Sequence, residues 1–303
     1  MNGYLQFVAD LLPAVVNIHA RIPRANPSSN ILGTERMGTG TLLDAEGHIL
    51  TIGYIVLGAH RIRVNLSDGR SFSAHTKGYN VESGLAVVQL DGVPRGEPLP
   101  AAALGDSTSL EVGQNVLIAA ATEASDRQVT TGIVSALGPF DAYWEYMLDR
   151  AILTTASNPG FGGGPLLDYR GKLVGVVSLN LGPGGGMTLA VPLELYFQER
   201  DELLDLGGPA RAPRPWLGVY SQPHEQGLLV VGVVPESPAD EADVEEGDAI
   251  IALNSERFES RREFYERLWQ GRAGDMVSLA LSREGRDRTV LVQSMDRKIF
   301  YRR

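Results

Sequence analysis

The sequence predicts a mainly β chain in which a large all-β part is followed by a smaller α+β module. Short apolar runs recur along the chain, each closed by Gly, Pro, Asp or Asn. The 35 glycines and 17 prolines supply the turns such strands need. A Gly- and Pro-rich segment, 207–215, then precedes a region where strand-like and helix-like patterns mix.

Taken in order, alternating or continuous apolar runs predict strands at 14–19, 40–43, 62–66, 85–90, 116–120, 129–137, 172–178 and 188–191. Asp68-Gly69 lies between two strand regions and reads as a hairpin turn. The stretch 92–100 reads as a connector between two β units, and 193–206 as a helix with Leu195, Leu203 and Leu206 apolar. Gly207-Gly208-Pro209 closes that helix. Beyond the linker, strands are expected at 228–234 and 249–253, and a strand pair at 277–283 and 289–294. Between them 261–269 reads as a helix with Phe264 and Leu268 four apart on one face. The domains expected are therefore 1–206, a linker 207–215, and 216–303.

Composition narrows function. A net charge of −10 argues against electrostatic capture of nucleic acid or anionic lipid. With no cysteine there is no disulfide, no thiolate zinc site and no cysteine nucleophile. No apolar run approaches the roughly 20 residues that cross a bilayer. Residues 1–10 carry no positive charge, and the apolar stretch that follows is short and holds Pro13. A complete chain would thus be cytoplasmic, whereas removal of a signal or anchor would leave the compartment open. Of five histidines none forms a metal-ligand pair in sequence, so neither a metal nor another cofactor is expected. Gly182-Pro183-Gly184-Gly185-Gly186 is followed by Met187 and Thr188 rather than Lys-Ser/Thr, and reads as a hairpin tip, not a phosphate loop.

The stretch Asn158-Pro159-Gly160-Phe161-Gly162-Gly163-Gly164-Pro165-Leu166-Leu167-Asp168 resembles the active-site loop of the HtrA/DegP family, trypsin-like serine proteases with a C-terminal PDZ domain. Gly38-Thr39-Gly40 leading to Gly47-His48-Ile49-Leu50-Thr51 is similar to the family's first-barrel hairpin, and Leu85-Ala86-Val87 and Val174-Gly175-Val176 stand at matching places. Trp216-Leu217-Gly218-Val219, Ser237-Pro238-Ala239 and Gly247-Asp248-Ala249-Ile250 resemble its PDZ domain. The resemblance implies a trypsin-like double six-stranded β-barrel followed by an α+β PDZ domain.

It also implies a catalytic triad, and here the chain departs. The family's nucleophile loop reads Gly-Asn-Ser-Gly-Gly-Pro-Leu, so Phe161 replaces Asn and Gly162 replaces serine. Tyr54 stands at the histidine and Gly84 at the aspartate. A serine hydroxyl needs an imidazole to take its proton and a carboxylate to orient the imidazole. Losing the triad as a unit removes about 10⁶ in turnover. The resemblance therefore implies a pseudoprotease; the alternative is an active serine endopeptidase with a non-standard site, for which Ser157, Thr154 and Thr155 lie nearby but no histidine is placed to activate them. Gly160 and Phe161 are the remnant of an oxyanion loop. Phe161 either packs into the vacated cleft or anchors an apolar peptide side chain, and Tyr54 is expected to be a buried aromatic with one hydrogen-bond partner.

PDZ domains take an extended peptide as an added strand, with loop amides receiving its terminal carboxylate. By resemblance Trp216, Leu217, Gly218 and Val219 form that loop, and Phe264 and Leu268 line the side-chain pocket. Partners expected are peptide or protein C-termini and unfolded polypeptide, with the chain acting as scaffold, chaperone or regulator. The family also forms trimers, for which Tyr4, Leu5 and Phe7 offer a contact if they do not simply pack on the barrel; a mixed oligomer with an active relative is the other possibility. By resemblance the compartment is the cell envelope or periplasm if a leader has been removed. The acidic run 241–246 reads as a solvated helix end and turn.

Overall fold

The computed structural model describes residues 11–302 except 95, 97, 183–185 and 206–211. Tyr4, Leu5, Phe7 and Leu206 thus lie outside the described residues, as does the centre of the 182–186 tip. Two compact units divide the chain: Met1–Pro139 with Asp149–Gly208, and Phe140–Leu148 with Pro209–Arg303. The nine residues 140–148, which the sequence reading counts with the first domain, cluster with the second.

In the first unit, β1 (Val15–Arg21), β2 (Glu35–Leu42), β3 (His48–Ile52), β4 (Arg61–Asn65), β5 (Ser71–Tyr79) and β6 (Leu85–Leu90) close into a barrel of order β1-β2-β3-β6-β5-β4. Period-two alternation decides which side chains enter it: Ile62 and Val64 of β4 are buried while Arg61 and Arg63 face out. Strand β1 seals the barrel, with Ile18 opposite both Gly38 of β2 and Val64 of β4. Each fully buried aliphatic side chain here, such as Ile18, Leu50 or Leu85, contributes about 1.5–3 kcal/mol.

A second barrel of order β10-β11-β12-β9-β8-β7 is built from β7 (Asn115–Ala121), β8 (Arg127–Ala142), β9 (Tyr146–Thr154), β10 (Pro165–Asp168), β11 (Leu173–Leu181) and β12 (Met187–Pro192). Ile118, Val134, Ile152, Leu166 and Val177 form its core. The short strand β10 closes it, Leu166 facing Ile118 on one side and Gly175 on the other. Two short helices follow, Leu193–Gln198 and Arg200–Leu203, in place of one continuous helix. The break falls at Glu199, whose ψ of 9° leaves the helical region.

The second unit holds a sheet of β13 (Val219–His224), β14 (Gly227–Val233), β15 (Ala249–Leu253), β17 (Met276–Arg283) and β18 (Arg286–Gln293) in that order, with the two-residue β16 (Glu256–Arg257) paired to β15. The helix Arg261–Leu268 starts at Ser260, whose hydroxyl accepts from the Glu263 amide, and buries Phe264, Tyr265 and Leu268 in the core. Strand β13 is an edge strand, the position to which an extended chain can add.

Candidate functional site

Three segments carry the positions that the resemblance marks for a triad. A turn of helix, Gly53–Val56, follows β3 and holds Tyr54; Gly84 directly precedes β6; the loop 155–164 joins β9 to β10. The Gly53 amide donates to the Gly84 carbonyl at 2.6 Å, which fixes the first two stations against each other. The Tyr54 hydroxyl donates to the Ser178 carbonyl at 2.9 Å, while the Tyr54 carbonyl accepts from Arg36 at 2.8 Å.

Position 162 is closed by that same tyrosine. A Cβ built on Gly162 would collide with the Tyr54 hydroxyl and stand 3.1 Å from the Ser178 carbonyl. A side chain at 162, the position expected for the nucleophile, would therefore meet the phenol of Tyr54, the residue expected at the histidine position. Burial pushes the Tyr54 phenol up to about 12, so at neutral pH it donates a proton and accepts none. Gly84 has φ of 76°, a conformation that glycine adopts freely and aspartate only with strain.

In the loop that the resemblance marks as an oxyanion loop, three amides bond to the chain itself. Phe161 N–H donates to the Ala121 carbonyl at 3.2 Å, Gly163 N–H to Val177 at 2.7 Å, and Gly160 N–H lies 3.4 Å from the Asn158 side-chain oxygen. Thr39 ties the loop from below: its hydroxyl donates to the Phe161 carbonyl and its amide to that of Gly162, both at 2.7 Å. Phe161 is half-buried. Two histidines have carboxylate partners at 2.7 Å, His48 with Asp44 and His75 with Asp91, and neither bonds to Ser157. The carbonyl of Ser157 accepts from Thr130.

The second candidate site lies in the other unit. Gly218, with φ of 89°, turns the chain so that successive amides of Leu217, Gly218 and Val219 point at one place. They converge on the carboxylate of Glu145. Leu217 N–H donates to one oxygen at 3.1 Å, and Gly218 and Val219 N–H to the other at 2.7 and 2.9 Å. Glu145 is 4% exposed. Burial pushes its carboxyl above the ordinary range, against the pull of the three amides and of the Arg297 guanidinium.

The other predicted members of this site are placed differently from the loop. The Trp216 ring packs on Phe300 and Tyr301, with centroids 4.8 and 5.8 Å apart, and its backbone pairs with Met295. Phe264 is wholly buried against Phe258 and Tyr265, and Leu268 lies in the same core. Tyr265 is the helix residue that reaches the site: its hydroxyl accepts from Glu145 N–H at 3.0 Å and donates to the Ala142 carbonyl at 2.8 Å. Sequence reasoning named neither Glu145 nor Tyr265. The signal for the first was a lone carboxylate set among Tyr143, Trp144 and Tyr146. The acidic run is bridged to arginines: Arg283 pairs with Glu245 and with the buried Asp248, and Arg288 with Asp243.

Comparison with known proteins agrees with both halves. Residues 38–176 match the trypsin-like peptidase domain and 215–293 the PDZ domain. A probable periplasmic serine endoprotease DegP-like of Halomonas elongata is 30% identical over 275 residues, covering 84% of this chain and 56% of that protein. A putative serine protease HhoA of Synechocystis is 33% identical over 240 residues, covering 72% of this chain and 60% of its own length. The chain thus spans between half and two thirds of these relatives. Among solved structures, the HtrA-type protease AlgW with decapeptide is 25% identical with a TM-score of 0.58, covering 97% of this chain and 98% of its own. The serine endoprotease from Yersinia pestis is 27% identical, also with a TM-score of 0.58 and 97% coverage of both chains. Among the described residues no helix is long and apolar enough to cross a membrane.

Proposed function

This chain belongs to the HtrA family of trypsin-like serine proteases with a PDZ domain, and on that footing we propose that it is a pseudoprotease that binds peptides or unfolded polypeptide through its PDZ domain. The observation that carries the reading is the Tyr54 hydroxyl standing where a side chain on Gly162 would begin. A nucleophile is absent there, its space is occupied, and the occupant is a phenol held protonated at neutral pH. Oxyanion donors alone leave roughly 10³–10⁴ over the uncatalysed rate, far below a working protease.

The three converging amides of Leu217, Gly218 and Val219 support the binding half of the proposal, because they can receive a carboxylate with no reactive side chain. AlgW has been solved with a decapeptide and with a tripeptide, which favours a peptide as the ligand. In this reading the protease-like part is 1–206, the linker 207–215 and the peptide-binding part 216–303. The cell envelope is the compartment that fits, given the relatives named periplasmic. A scaffold, chaperone or regulator of an active relative are the roles such a molecule can fill, the last within a mixed oligomer.

The test is incubation of the intact chain with casein and with a fluorophosphonate probe. The expected result is no time-dependent cleavage and no labelling above that of the Ser157→Ala variant. Cleavage that persists in Ser157→Ala, or labelling of any serine, overturns the pseudoprotease reading in favour of an endopeptidase with an unconventional site.

A further inference from the structure

The carboxylate-receiving loop is not empty. Its three amides are satisfied by Glu145, at the turn between β8 and β9, in the short segment Phe140–Leu148 that clusters with the second unit. Two further observations make this segment a likeness of a bound peptide. Ser221 N–H, on the edge strand β13, donates to the Tyr143 carbonyl at 2.8 Å. Tyr143 stands two residues before the carboxylate-bearing residue, so a backbone bond to the edge strand and a carboxylate in the loop recur at the spacing an added strand would give. Met147 packs against the apolar core of the same unit.

The segment is fastened by more than the carboxylate. Arg261 donates to the Asp141 carboxylate at 2.7 Å and to its carbonyl at 3.0 Å, and Tyr265 holds both Ala142 and Glu145. Glu145 sits at φ of 54°, a left-handed conformation that glutamate adopts only against a steric cost. The hydrogen bonds from the loop offset that cost. A buried carboxylate that accepts three amides is a stable partner for them, and removing it would leave three buried donors unpaired.

We propose that Glu145 is an internal ligand: the segment 140–148 occupies the carboxylate loop and edge strand of the PDZ domain, so that an incoming C-terminus binds only by displacing it. The proposal rests on the peptide-binding reading above. Displacement makes binding a competition, in which the apparent dissociation constant is the intrinsic one divided by the fraction of molecules with the segment released.

The probe is a fluorescent decapeptide pool ending in a free-carboxylate Val, Leu, Ile or Phe, with the same pool amidated at its terminus. Both are titrated by anisotropy into the intact chain and into its Glu145→Ala and Glu145→Gln variants. Amide hydrogen exchange is followed at 217–219 and 140–148 in the same samples, with β14 and β15 as a check of folding. Glu145→Ala is expected to bind the free-carboxylate pool at least tenfold more tightly than the parent, with Glu145→Gln between them and the amidated pool weak throughout. In the parent, amides 217–219 are expected to be protected without peptide, and saturating peptide should raise exchange at 140–148. Equal binding by all three proteins within twofold, or unprotected 217–219 in the parent, overturns the internal ligand and leaves the peptide-binding reading standing. No binding by any folded form overturns the peptide-binding reading and the proposal with it.

Discussion

A Gly162→Ser substitution adds a Cβ and a hydroxyl at a point where the Tyr54 oxygen already stands. Two responses are open. The backbone can shift to relieve the overlap, at the cost of overpacking, about 1–3 kcal/mol. Otherwise Tyr54 swings away, forfeiting its 2.9 Å bond to the Ser178 carbonyl and leaving that acceptor unpaired, again about 1–3 kcal/mol. For a unit of this size each kcal/mol lowers the melting temperature by roughly 2–4 °C, so a fall of about 2–12 °C is expected. Tyr54→His removes the phenol oxygen and with it the overlap. The Tyr54→His/Gly162→Ser double variant should therefore be less destabilised than the sum of the singles, by at least about 1 kcal/mol. Urea unfolding of the four proteins measures the cycle. Additivity to within about 0.5 kcal/mol, or a Gly162→Ser protein as stable as the parent, would show that the two positions do not interlock.

Four further substitutions test the second unit. Asp248 is fully buried and held by Arg283 through both oxygens, at 2.6 and 2.9 Å, and by the Glu245 amide. Burial works to raise its carboxyl, but the Arg283 bonds, the Glu245 amide and the nearby arginine charges outweigh it and hold the group below the ordinary range. A carboxyl depressed in the folded state stabilises the protein above its unfolded value near 4, and that stability is lost as pH falls through the folded value. The urea midpoint should accordingly drop between pH 5 and 3 by less in Asp248→Asn than in the parent, whereas Arg283→Met should lower the midpoint at pH 7 by leaving the carboxylate without its cation. Gly218→Ala faces both a φ of 89° and a collision with the Ser237 side chain, and should cost about 2 kcal/mol or more. Gly247→Ala, at φ of 97° with open space around it, should cost only about 1 kcal/mol, and chemical unfolding of the two variants makes the comparison.

The strands with strong apolar alternation were legible from the sequence, as were the Asp68-Gly69 turn between β4 and β5 and the helix that carries Phe264 and Leu268. Strand β5, Ser71–Tyr79, was not, because Ser71, Ser73 and His75 fill the outward positions and only Ala74, Gly78 and Tyr79 are buried. Strand β8 runs on to Ala142 through Gly138-Pro139, a pair that reads as a turn. The sequence reads Tyr54 as a buried aromatic with one hydrogen-bond partner; its hydroxyl donates to one carbonyl, while the residue as a whole is half-buried, and that Gly162 and Tyr54 exclude each other needed three dimensions. Glu145 escaped for the same reason, since its partners lie more than seventy positions away and amides leave no mark in a sequence. Within the proposed peptide site the loop 217–219 and the pocket residues Phe264 and Leu268 follow from resemblance; periodicity adds only that Phe264 and Leu268 share a helix face, which marks a buried face without saying what it faces.

The Glu145 carboxylate travels on the same polypeptide as the amides it meets, so it cannot diffuse away or be diluted. Tethered groups on short flexible connections act at effective concentrations of millimolar order. A free chain terminus present at about micromolar must then hold the loop roughly 10³-fold more strongly than the tether does to occupy it half the time. Such a threshold is written into the covalent structure and is indifferent to how much of the protein a cell makes. Under the proposed competition weak passing termini would go unheeded, and only those that also satisfy the edge strand and the apolar surface would register.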